Sequence, residues 1–498
     1  MARRLRTMVV AAFLAPCMVA GIAGTALADP QQQVSNSTVS GFPTSPQPST
    51  GSFDWAQRAK DYDAFVYDWQ DRGSYTTIQT DTSALNMPAG STTFKMPAYY
   101  GDTRVQGDAG NGNQEAVTQI ASVVGATLVG VDKSDQDGKD YVDMLRTFYH
   151  PDLGVAKDTP SSSSSAPGSQ SIWYTTVSNV LYYMLGDQYP DATDMTPMLR
   201  SIADQYYAML KSVGGANADI TMQDFDFATG TAVKGRNEGG EAAAGAAAIL
   251  LWAHAKFGDS KYLEGAEWAM DALQRSNQNL YYEVIPILAP YIAARMNAEV
   301  GTDYDVSKYI GWLMAGSNTR GGWGTITGTW GGVDVSGLSG SKTDCGPKGC
   351  TNGNTGYAFA MNSFATPLLA ATAKYDARYA DTIGRWMLNV DHAARYFYAD
   401  QLTADQQYWG SRFIDDPAHV IAYEGLTTSG SAGIMALGDV PDRSANWGVG
   451  KDATSLGLYG SSWVGFMGAS LSATNVANVV RTDLNALDFF GANEHPTY

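Results

Sequence analysis

NEGGEAAAGAAAILLWAHAK, residues 237–256, is the stretch on which the fold turns. It is rich in alanine and glycine, and polar side chains are confined to its two ends. A surface helix of a globular protein carries one apolar stripe, whereas a helix that is apolar all round is packed on every side. The stretch therefore predicts an inner helix of a two-layer helical shell. Glu238 and Glu241 fall in its first turn, where carboxylates complement the positive end of the helix dipole and need no further role.

Outward from it, apolar residues recur at helical spacing. Val117, Ile120, Val124 and Leu128 form one stripe, with Asn113 as the expected cap. Trp173, Val177, Leu181 and Met184 form a second; Met195, Leu199, Ile202, Tyr206 and Met209 a third; Leu263, Ala266, Met270 and Leu273 a fourth. Tyr357 to Lys374 and Ala380 to Tyr398 continue the pattern, and the C-terminal part is expected to add at least two helices. Strand signals are confined to short pieces such as Ser91 to Pro97 and the Gly-rich stretch near residue 330. About a dozen helices without a visible repeat of roughly 34–45 residues disfavour a solenoid. The expected fold is all-α, an (α/α)6 toroid of helical hairpins with short β pieces in the loops. Loops at one end of its inner helices would surround a central funnel.

The N-terminus reads as a secretion signal over residues 1–28: Arg3, Arg4 and Arg6, an apolar run from Met8 to Ala23, then Ala26-Leu27-Ala28 as a cleavage site. Residues 29–52 are Gln-, Ser-, Thr- and Pro-rich and read as a disordered tether, so a single catalytic domain is expected over 53–498. The run from Thr159 to Gln170 reads as a surface loop. Fifty acidic against 32 basic residues give a net charge of −18, and removal of the three signal arginines makes it about −21. Such a charge repels nucleic acid and anionic lipid. No membrane insertion is expected, because no other apolar stretch approaches the roughly 20 residues a span requires. Pro16 before Cys17 disfavours a lipid anchor. Cys345 and Cys350, separated by a Gly-Pro-Lys-Gly turn, are expected to pair as a disulfide in an oxidising compartment. A secreted, extracellular monomer is the expectation.

Aromatic residues and carboxylates gather in the loops: Tyr99-Tyr100-Gly101-Asp102, Trp323, Trp330 with Asp334, Tyr423-Glu424, and Tyr459 with Trp463. A sugar presents an apolar C–H face and a rim of hydroxyls, which flat rings and hydrogen-bonding groups recognise. Trp323, Trp330, Tyr423, Tyr100, Asp102, Arg236 and Glu283 are the candidate substrate-binding residues. Glycosidic hydrolysis needs one protonated and one ionised carboxyl group. Glu424, set between apolar neighbours, is the candidate acid; Asp334 or Glu238 is the candidate base. Glu283, inside Tyr281-Tyr282-Glu283-Val284, has credentials similar to those of Glu424.

Asp132 to Asp140 (DKSDQDGKD) has the composition of a calcium loop. Its register puts Lys133 at the first ligand and Met144 at the bidentate glutamate position, so it reads as an exposed interhelix turn. Calcium has only this loop in its favour, and no cofactor is expected. The five histidines lack metal-ligand spacing, serines lack a nucleophile elbow, and Asp391-His392 with Arg395 reads as an exposed helix face.

The runs TWGGVDVSGLSG (329–340), YAFAMNS (357–363), RWMLNVDHAAR (385–395), VIAYEGL (420–426) and LGLYGSS (456–462) resemble segments of large secreted bacterial helical proteins of polysaccharide breakdown. The resemblance implies an (α/α) toroid of carbohydrate-active type, glycoside hydrolase or polysaccharide lyase. The expected function is glycoside hydrolysis, inverting, on a carbohydrate substrate. A lyase would need a Tyr or His base and cations such as Arg236, Arg320 or Lys342, and a noncatalytic glycan binder would keep the aromatic loops without an acid pair.

Overall fold

The computed structural model describes residues 32–46, 53–69, 77–100, 114–160, 171–317, 322–342, 357–401, 421–422, 425–429, 433–436, 456–473 and 479–491. These are mostly helical, with short sheets. The helices are α1 (Ser37–Ser40), α2 (Trp55–Val66), α3 (Ala116–Leu128), α4 (Tyr141–Met144), α5 (Ile172–Gln188), α6 (Met195–Ser212), α7 (Glu238–Phe257) and α8 (Ser260–Arg275). They continue with α9 (Leu288–Glu299), α10 (Val306–Met314), α11 (Ala360–Ala365), α12 (Ala370–Tyr375), α13 (Ala380–Ala393), α14 (Leu458–Ser461) and α15 (Val464–Ser470). Among them none is long and apolar enough to cross a membrane.

Burial sorts these helices into two kinds. Every residue of α7 from Glu238 to Ala253 is buried, as is every residue of α3 from Ala116 to Ala126. In contrast α8 buries one stripe, including Tyr262, Ala266, Ala269, Met270 and Leu273. The buried kind pack in sequence: α3 on α5, α5 on α7, α7 on α9, α9 on α12, α11 on α15, and α15 back on α3. The striped kind lie against them, α6 and α8 on α7, α10 on α9, α13 on α12, and α2 on α15 and α3. Small residues permit the close approaches. A Cβ at Gly465 of α15 would collide with the Gly125 carbonyl of α3, so these two backbones touch where the first and last buried helices meet.

Helix ends follow local chemistry. The Asn237 side chain accepts from Gly240 N at 3.0 Å to start α7, and Gly258, at φ +70°, stops it by donating to the His254 carbonyl. Tyr357–Phe359, expected as helix, instead forms a strand of a five-stranded antiparallel sheet ordered 433–436, 425–429, 357–359, 339–341, 323–325. Pairing with Ser339–Ser341 and Gly425–Ser429 overrides the local helical period there.

The tether expectation for residues 29–52 is corrected by the structure over 33–46. The compact unit begins at Gln33. Val39 and Phe42 are buried, Val34 N donates to the Arg378 carbonyl at 2.7 Å, and Asn389 Nδ2 donates to the Pro43 carbonyl at 3.1 Å. A polar average concealed a few anchoring apolar side chains that dock beside α13. Phe42→Ala is expected to lower the unfolding free energy by about 3 kcal/mol in urea titration, whereas a true tether residue would leave it unchanged.

The Asp391 region is a second correction, since Asp391, His392 and Arg395 are buried. Asp391 accepts from Trp55 Nε1 at 2.7 Å and from Arg395 Nη2 at 2.5 Å, tying α2 to α13. The Asp132–Asp140 turn is a third. Lys133 is fully buried, its Nζ donating to Asp63 Oδ1 at 2.8 Å and to Gln136 Oε1, and lying 3.0 Å from the Tyr67 ring centroid. The loop interior is thus filled by the chain's own ammonium group.

Candidate functional site

The starts of the buried helices are joined to one another by side-chain and backbone contacts. Trp173 at the start of α5 packs edge-on against Tyr282 at 5.7 Å between centroids, and Tyr282 against Trp323 at 5.1 Å. Trp323 then meets Phe359, just before α11, at 5.4 Å, and Phe359 meets Tyr459 of α14 at 5.7 Å. The turn at 222–223 links the start of α5 to that of α7: its carbonyls accept from Ile172 N of α5 and from Glu238 N of α7, both at 2.9 Å. Ahead of α3, strand Tyr99–Tyr100 pairs with Leu456–Gly457, and Tyr459 N donates to the Ala98 carbonyl. The result is an aromatic wall running along the helix starts.

Carboxylates accompany this wall. Glu283 is 6% exposed and holds a backbone φ of +48°, a left-handed conformation that costs a non-glycine residue about 1–3 kcal/mol and concentrates at functional sites. Burial, then the charge of Glu283, with further contributions from Tyr174, Glu115 and Tyr282, holds the Tyr459 hydroxyl well above the ordinary phenol range. Glu115 before α3 and Glu283 before α9, distant in the chain, thus both bear electrostatically on one buried phenol. Next to them the Tyr281 hydroxyl shares a hydrogen bond with Ser339 Oγ (2.6 Å) and accepts from Asn362 Nδ2 (3.2 Å); burial pushes it up to about 12.

Glu238 and Glu241 are buried in the first turn of α7, and Arg236, largely exposed, reaches Glu238 Oε1 with its Nε at 3.2 Å. Trp323 is only 3% exposed, so it backs the wall, while the half-buried Tyr174 and Tyr282 keep open surface. Trp330 is buried and Asp334 half-buried on a separate hairpin, Thr329–Trp330 with Val333–Asp334. Asp334 Oδ1 accepts from Ser336 N at 2.7 Å, and its charge contributes to raising the Tyr396 hydroxyl. Tyr100 contributes its backbone to the Leu456–Gly457 pairing. Glu424, Tyr423, Asp102, Asn113, Arg320, Cys345 and Cys350 lie outside the described residues.

Asp158 is the residue that sequence reasoning passed over. It follows the strand Val155–Ala156 and closes the N-terminus of α3, its Oδ1 accepting from Val117 N at 3.2 Å and its main-chain carbonyl from Ala116 N. Burial pushes its carboxyl up to about 7 against the pull of those amides. The only sequence signal was Lys157-Asp158 abutting the low-complexity run. Because the folded pKa exceeds the unfolded value, the native state binds the extra proton between about pH 4 and 7. That contribution to stability is complete below about pH 4 and is lost as pH rises through 7. Asp158→Asn should flatten the fall of the urea midpoint across this window; an unchanged slope would refute the assignment.

Compared with known protein families, characterised proteins and solved structures, the chain matches none.

Proposed function

We propose that the chain is a secreted glycoside hydrolase whose buried helices form the inner ring of an (α/α)6 toroid. The packing order that returns from α15 to α3 supports the ring, and the striped helices supply the outer layer. The reading is carried by Glu283, buried in a left-handed backbone conformation next to Tyr282 in an aromatic wall of Trp173, Tyr282, Trp323, Phe359 and Tyr459. Glu283, buried and strained, is suited to hold a proton and deliver it to the leaving oxygen; Glu115, half-buried, is suited to remain ionised and activate water. Rings with open faces, Tyr174 and Tyr282, would stack on the sugar. Glu424 is the alternative acid and Asp334 or Glu238 the alternative base, and glutamine or asparagine variants separate these assignments.

The test uses the purified protein and a panel of plant, microbial and host glycans. New reducing ends without the ultraviolet absorbance of an unsaturated uronate are expected. Unsaturated products would replace hydrolysis by elimination, and glycan retention without products would leave a binding protein.

A further inference from the structure

We infer that the site at the buried-helix starts selects uncharged, hydroxyl-bearing glycans and excludes chains carrying carboxylates or sulfates; this rests on reading the site as a glycan site. The first ground is charge. Asp224, Glu238 and Glu241 are buried along these starts, so an anionic sugar would bring like charge into a region of low dielectric. Three cations adjoining these starts, Arg236, Lys342 and Lys157, are engaged by the protein. Arg236 pairs with Glu238, and Lys342 Nζ donates to the Met314 carbonyl at 3.2 Å. The buried Lys157 donates to Thr175 Oγ1 at 3.4 Å and faces the charges of Asp224 and Asp226.

The second ground is independent of charge. Trp173 Nε1 and Asn362 Oδ1 belong to fully buried residues at the starts of α5 and α11, and neither atom has a hydrogen-bond partner. Trp173 lies in the wall against Tyr282, and Asn362 hangs from Tyr281 beside Glu283. One atom is an obligate donor and the other an acceptor. A sugar hydroxyl both donates and accepts and so answers both, which points to a hydroxyl-bearing ligand, while the exclusion of anionic chains rests on the charge.

The experiment is affinity electrophoresis of the full chain through neutral polysaccharides (a glucan, a mannan, a xylan and a galactan) and anionic ones (polygalacturonate, alginate and hyaluronan). Retention by at least one neutral polymer and by no anionic one is expected. Trp173→Phe, which keeps a ring but deletes the N–H, should weaken that retention about tenfold; the smaller ring leaves a gap at a buried position, so retention is read well below the variant's own Tm. Retention by an anionic polymer, absence of retention by every neutral one, or an unaltered Trp173→Phe would each overturn the inference. A neutral polymer retained but never cleaved would sink the hydrolase reading and leave this one standing; a cleaved anionic polymer would do the reverse.

Discussion

Glu283→Gln should lower turnover of the cognate glycan by about 10³-fold while Tm stays within about 2 °C. General acid–base catalysis by one placed group contributes about 10²–10⁴-fold, and the amide keeps the shape and the hydrogen-bonding face of the acid while losing the transferable proton. The left-handed backbone at φ +48° is strained for glutamate and glutamine alike, so the substitution tests the carboxyl and leaves the turn as it is. The loss should fall on kcat, with glycan retention preserved. A variant with full turnover would remove Glu283 from the chemistry. If Glu424→Gln alone abolished turnover, the acid would be the residue first suggested by its apolar neighbours in the chain.

Lys133→Met should destabilise the protein by about 4 kcal/mol, measured by urea unfolding. Removing one partner of a buried ion pair leaves the other charge uncompensated, at a cost of about 3–5 kcal/mol. Here Asp63, on α2, would keep Gln136 Nε2, at 2.7 Å, as its one side-chain donor among the described residues. The ammonium also lies over the rings of Tyr67 and Tyr141, so its loss removes cation–π attraction in a dry setting. Burial pulls its pKa down to about 8, with Asp63 opposing the shift. Asp63→Asn in the same chain should recover much of the loss, because the stranded carboxylate is then gone. A single variant as stable as the parent would show that the pair contributes nothing.

The helices, and the difference between those buried all round and those buried along one stripe, were legible in the chain, since both rest on local periodicity. Trp173, Val177, Leu181 and Met184 lie in one buried helix, and the apolar run of α7 is enclosed on all sides as its composition requires. The docked segment 33–46 was not legible, because Val39 and Phe42 are too few to lift a polar average yet sufficient to fill a niche beside α13. Lys133 was misread for a related reason: a charged residue in a turn is ordinarily solvated, and only Asp63, some seventy positions earlier, makes its burial tolerable.

For the candidate site the division is sharper. Composition and spacing selected aromatic and acidic residues at the ends of helices, including Trp323, Glu238 and Glu283, on chemistry alone. Tertiary structure decided that Glu283 is buried in a left-handed turn at the aromatic wall, that Asp334 sits on a separate hairpin, and that burial raises the Asp158 carboxyl. The physical reason is that helix formation and amphipathicity are written in residues three and four positions apart. Carboxylate separation and burial depend on how the chain's first and last buried helices, α3 and α15, come together, a contact that spans some 340 positions and is governed by packing at Gly125 and Gly465.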